Sequence, residues 1–177
     1  MKHKTLICLL YSAMFAALLA VCSWITVPGV VPFTLQTFAV FAVLTVLGGK
    51  YGTLSIALYL ALGAVGVPVF SGFRGGVGAL FGTTGGYLFG FLFAGLFFWL
   101  ITRIFGKGLL VNVLALVGAL FLVYAIGTLW FLSKYTGDGG LWYVLGACVF
   151  PFILPDAIKM ALAVLVGRRV AKLMERI

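Results

Sequence analysis

Long apolar runs, separated by short clusters of glycine, proline and charge, divide the chain into six segments at 5–26, 34–49, 52–66, 84–104, 109–132 and 142–167. A helix needs roughly 17–25 such residues to cross a bilayer. The second and third runs are short, and Gly48, Gly49, Lys50 and Gly52 predict a tight turn between them. Short or broken helices are tolerated at membrane depth where they bury against protein or line a cavity. The pattern therefore predicts an all-α integral membrane protein with six transmembrane helices, read as a single domain over residues 1–177.

Composition narrows the class. Hydrophobic residues make up 64% of the chain and charged ones 8%, against about 25% charged in soluble domains. A soluble fold of this size has too little interior to hide that much apolar surface. The N-terminal MKHKTLICLLYSAMFAALLAVCSW has the charge order of a signal peptide. Its apolar stretch exceeds the roughly 7–15 residues of a signal core, and similar segments follow it, so it reads as the first membrane helix.

Charge then orients the six segments. Lys2, Lys4, Lys50, Arg103, Lys107, Arg168, Arg169, Lys172 and Arg176 fall on the side of the termini, Arg74 and Lys134 fall opposite, and Lys159 lies within the sixth segment. The positive-inside rule predicts cytoplasmic termini. Topology thus accounts for the net charge of +9, and no nucleic-acid partner is implied. Of the loops on the opposite side, GVPVFSGFRGGVGALFGTTGGYLFG is dense in glycine with apolar residues between. Such a loop is expected to fold back as a cap on the bundle, whereas SKYTGDGG reads as an ordinary polar turn.

Chemistry-bearing residues are few. His3 is in the N-terminal tail, and Cys8, Cys22 and Cys148 lack metal-site spacing, so no metal site is expected. Glu175 and Asp138 read as solvated, which leaves Asp156 as the one carboxylate in an apolar run, within PFILPDAIKMALAVL. Lys159 follows by three residues, on the same helical face and one turn on. The pair is expected near the middle of its span, beside Pro151 and Pro155, which weaken the local backbone ladder. It either bridges two helices or presents an acceptor and an ammonium to a polar ligand in a cavity. Desolvation offsets much of what a purely structural pair gains, which favours the ligand. A Ser-His-Asp hydrolase and a two-carboxylate mechanism both lack partners. GTTGGYLFG has no Walker lysine, so the chain carries no ATP site. In the first segment Ser12, Ala16 and Ala20 recur at four, with Ala13 and Ala17 in a second row. Small residues at this spacing serve close helix packing, either within the bundle or against another membrane protein.

Five motifs then occur in order over residues 28–163: VPFTLQTFAV, GAVGVPVF, GFRGGVGALFG, TGGYLFGF and PDAIKMALA. Together they resemble the biotin-specific S component of energy-coupling-factor vitamin transporters, the BioY family. The family's usual GPTGGY reads here as Gly82-Thr83-Thr84-Gly85-Gly86-Tyr87, with Thr83 in place of proline, a change that bears on loop stiffness. The resemblance implies no enzyme activity and no cofactor. It implies biotin as transported ligand, membrane lipid as surroundings, and as partners a transmembrane coupling protein with two cytoplasmic ATPases. It also implies the plasma membrane of a prokaryote and a docking role for Ala13, Ala16, Ala17 and Ala20. A stand-alone secondary carrier for biotin or another small organic acid is the alternative.

For biotin, Asp156 would accept from a urea N–H while Lys159 donates to the urea carbonyl, both as charge-assisted bonds. Arg74 would then meet the carboxylate or remain a solvated loop charge; in the alternative, Lys159 pairs with the carboxylate and leaves the urea to Asp156. Phe33, Phe70, Phe73, Tyr87 and Trp130 are candidates for the walls around the rings and aliphatic tail. Thr34 and Gln36 would bond ligand or satisfy backbone at a helix start. Gly75, Gly76 and Gly85 would let backbone approach the ligand.

Overall fold

The computed structural model describes residues 2–136 and 140–174. The expectations for Asp138, Glu175 and Arg176 lie outside them, as do those for the side chains of Lys2, His3, Lys4 and Lys172. The elements are α1 (Lys2–Trp24), β1 (Thr26–Val27), β2 (Phe33–Thr34), α2 (Gln36–Ala64), α3 (Val77–Leu80), α4 (Gly85–Phe105), α5 (Leu109–Lys134), α6 (Gly140–Cys148) and α7 (Phe150–Met174).

The two short runs predicted around Gly48 are the arms of α2. Gly48 has φ 72° and ψ 176°, outside the helical region, a conformation open to glycine at little cost. The chain folds back there. A Cβ on Gly52 would come within 3.1 Å of the Leu44 Cα, although eight residues along a straight helix span about 12 Å. Further from the turn, the Gln36 side-chain amide donates to the Tyr59 hydroxyl at 2.6 Å. This hairpin is the most buried of the apolar spans, and α1, α4 and α7 pack around it while α5 packs on α4. Its apolar side chains, among them Phe41, Leu44, Ile56 and Tyr59, form the middle of the core.

The run predicted at 142–167 is two helices. Together Gly140–Ala171 would be about 48 Å long if straight, more than the roughly 30 Å hydrocarbon core. The break falls at Val149. Pro151 lies in the first turn of α7, where its missing N–H costs nothing, but Pro155 is inside the helix and cannot donate back to the Pro151 carbonyl.

Parts of the glycine-rich loop are buried against neighbouring elements. Val69, Phe70 and Leu80 are buried, and Phe70 pairs with Arg74 in an isolated antiparallel bridge. The Trp24 indole donates to the Pro68 carbonyl at 2.9 Å and the Trp130 indole to the Gly82 carbonyl at 2.9 Å. β1 and β2 form a two-stranded antiparallel hairpin with Thr26 opposite Thr34, and Thr26 and Ser71 join it to the loop through their hydroxyls at 3.1 Å.

Candidate functional site

At the end of the bundle away from the start of α1 and the end of α7, the β-hairpin, the glycine-rich loop and helices α2, α4, α5, α6 and α7 enclose a cavity. It holds about 730 Å³ of empty space, counting its open mouth, within the ~300–1,000 Å³ typical of small-molecule sites. Phe70, Leu88, Phe91, Val123 and Phe152 supply apolar wall. The charged groups lie at two places: the buried Asp156 and Lys159, and the exposed Arg74.

Asp156 is 1% exposed and Lys159 6%, so each charge needs compensation by bonding. Lys159 Nζ lies 2.9 Å from Asp156 Oδ1. It also donates to the Thr34 carbonyl at 2.7 Å and to Thr37 Oγ1 at 3.1 Å, which uses all three ammonium protons. Its charge sits 3.9 Å above the Phe33 ring, a close cation–π contact. Thr37 in turn donates to Asp156 Oδ1 at 2.8 Å, and the Tyr124 hydroxyl donates to Asp156 Oδ2 at 2.7 Å. The pair therefore does two things at once. It ties α7 to β2, α2 and α5, and it lines the cavity.

Its depth differs from expectation. Thr34 and Thr37 flank the start of α2, so the pair sits near the loop end of the bundle rather than mid-span. The cause is the break at Val149: α6 takes up the first turns of the apolar run, and Asp156 comes only two turns into α7.

Thr34, Gln36, Tyr87 and Arg74 all reach the cavity wall. Thr34 Oγ1 accepts from the Gln36 backbone N–H at 3.2 Å and donates to Gln36 Oε1 at 3.0 Å. It thus satisfies backbone at the helix start, while the N-cap position is Leu35, without a side-chain cap bond. The Tyr87 and Thr128 hydroxyls are 3.5 Å apart. Arg74 Nε donates to the Ser71 carbonyl at 3.0 Å, and among the described residues no carboxylate pairs with its guanidinium. Of the aromatic candidates Phe70 also lines the cavity. Phe33 lies beneath Lys159 and against Phe152, with ring centroids 6.0 Å apart. Phe73 stacks outside on Trp24 at 5.1 Å, and Trp130 packs with Phe81 and Phe89.

The structure does not bring Gly75, Gly76 and Gly85 to the cavity wall. A Cβ on Gly75 would clash with the Val67 carbonyl oxygen, and one on Gly85 with that of Leu80. Gly76 has φ 87° at the start of α3. All three serve the folding of the loop itself. The alanine rows of α1 also divide. Ser12, Ala16 and Ala20 are buried at 0%, 2% and 5% on the helix that packs against α2, with Ser12 Oγ donating to the Tyr51 carbonyl at 3.3 Å. Ala13 and Ala17 stay exposed.

Tyr124 and Thr37 are the principal site residues that sequence reasoning missed. A faint signal existed for Tyr124: with Thr128 it puts hydroxyls at i and i+4 in the apolar middle of α5. Thr37 lies within the PFTLQT motif, beside Thr34 and Gln36.

The BioY family model matches residues 1–176. This chain belongs to the BioY family. Among curated BioY proteins, it is 42% identical over 167 residues to the biotin transporter BioY of Thermotoga maritima, covering 93% of this chain and 96% of the relative. To the probable biotin transporter BioY of Pyrococcus horikoshii it is 42% identical over 158 residues, 89% and 91% of the two chains. The BioY fold seen here also matches the crystal structure of an S component for biotin from an ECF-type ABC transporter. That match has a TM-score of 0.85 at 26% identity, over 97% of this chain and 94% of the other.

Proposed function

We infer that this BioY-family chain is the high-affinity biotin-binding S component of an ECF-type importer. The observation that carries the reading is the cavity's polarity. A buried acceptor and ammonium lie in one cluster and a cation at the mouth, with apolar wall between. Biotin has the matching order of urea, thioether ring, aliphatic tail and carboxylate.

In this reading an N–H of the urea bonds Asp156, and the urea carbonyl takes a proton of Lys159 in exchange for one of its three internal bonds. The rings lie against Phe70, Phe91 and Phe152, and Arg74 meets the carboxylate as a charge-assisted partner. Tyr87, Thr34 and Gln36 complete the polar wall. The chain works as one six-segment unit in the plasma membrane of a prokaryote, with both termini cytoplasmic and the cavity opening outward. It carries no ATP motif, so energy comes from two cytoplasmic ATPases through a transmembrane coupling protein, with the exposed Ala13–Ala17 row of α1 as the docking strip. Transport is a reorientation of the loaded bundle against that partner.

The test is uptake of labelled biotin into cells that express the chain with or without the coupling protein and ATPases. Accumulation of unchanged biotin that depends on the ATPases is expected. Uptake of the same extent without them would overturn the coupled mechanism and make the chain a stand-alone carrier.

A further inference from the structure

A carboxylate offers about four lone-pair positions, and in this site three are filled: Oδ1 by Lys159 and Thr37, Oδ2 by Tyr124. One acceptor position remains on Oδ2. We propose that Tyr124 is a specificity-determining positioning residue, which holds Asp156 so that it accepts one N–H of a neutral ligand head and rejects a cationic one. The proposal rests on the reading of this cavity as the biotin site.

The electrostatics point the same way. The charged side chains that line the cavity are Asp156, Lys159 and Arg74, so one negative charge faces two positive ones. The negative charge accepts three hydrogen bonds, as many as the Lys159 ammonium donates and more than Arg74 makes with its side chain. A cationic head therefore finds no uncompensated anion, and it meets the ammonium held 2.9 Å from the carboxylate. A neutral urea N–H needs only the remaining acceptor position. Deleting the Tyr124 hydroxyl would change both terms. Oδ2 would lose its protein donor and open a second position, and the carboxylate would lose a dipole that offsets its charge. Both changes favour a charged, multiply donating head over a neutral one.

Tyr87 provides the internal control. It is a second tyrosine on the same cavity, and its hydroxyl neighbours Thr128 instead of Asp156. Deleting its hydroxyl alters the wall without touching the carboxylate.

The experiment measures equilibrium binding of two probes to the purified full chain in detergent: biotin, and iminobiotin, whose cyclic guanidine is protonated at neutral pH. Wild type, Tyr124→Phe and Tyr87→Phe are compared. The wild type is expected to prefer biotin strongly, and Tyr124→Phe to narrow that preference by about tenfold or more, the size expected for a hydrogen bond to a charged group. Tyr87→Phe is expected to shift both affinities together and leave their ratio within about twofold. A purely structural Tyr124 would also weaken both probes equally, so an unchanged ratio in Tyr124→Phe overturns the proposal. Failure of the wild type to bind biotin at all overturns the functional reading, and this inference with it.

Discussion

Two places in this cavity carry charge, and they are built in opposite ways. Asp156 and Lys159 are almost wholly buried and bonded to four other groups, on β2, α2 and α5. Arg74 is exposed, and its guanidinium reaches one backbone carbonyl in its own loop. A buried pair cannot lose a member without leaving an uncompensated charge, whereas a loop cation costs the fold almost nothing to remove. Stability and recognition should therefore be inseparable at the first place and separable at the second.

The largest effect should come from breaking the pair. Asp156→Ala leaves the Lys159 ammonium buried with the neutral oxygens of Thr34 and Thr37, and should destabilise the chain by about 3–5 kcal/mol. Thermal unfolding in detergent measures the loss, and biotin binding should disappear with it. Arg74→Ala should leave unfolding unchanged and weaken biotin by about 1–2 kcal/mol, a range set by charge-assisted bonding at a partly hydrated site. The biotin methyl ester, which lacks the anion, should not distinguish Arg74→Ala from wild type. The contribution of Arg74 should also shrink as salt rises, because exposed charges are screened more than buried ones.

Much of this fold could be read from the chain because bilayer physics restricts the choices. Length and apolarity mark the spans, and Gly48 marks the turn within α2, since a reversal inside an apolar run needs an unusual backbone. The break between α6 and α7 had no polar boundary to announce it, and it moved Asp156 from the middle of a span to the loop end. At the site, Asp156 and Lys159 stood out because charge in an apolar segment is costly. Tyr124 and Thr37 did not. Their significance depends on contacts 32 and 119 residues away in sequence, and a tyrosine or threonine in a membrane helix is common by itself. The glycines of the glycine-rich loop were misplaced for a related reason. Glycine signals that something approaches closely, but the sequence does not say whether that is ligand or, as with Leu80 against Gly85, the loop's own backbone.

In the biotin reading, the buried pair recognises the ligand as well as holding helices together. The most direct measurement replaces both charges at once, with Asp156→Leu and Lys159→Met, and follows unfolding and labelled-biotin binding on the same preparation. Removing both partners leaves no unpaired charge, so the double variant should be less destabilised than either single one and should bind no biotin. Wild-type biotin affinity in a folded double variant would reduce the pair to a structural bridge.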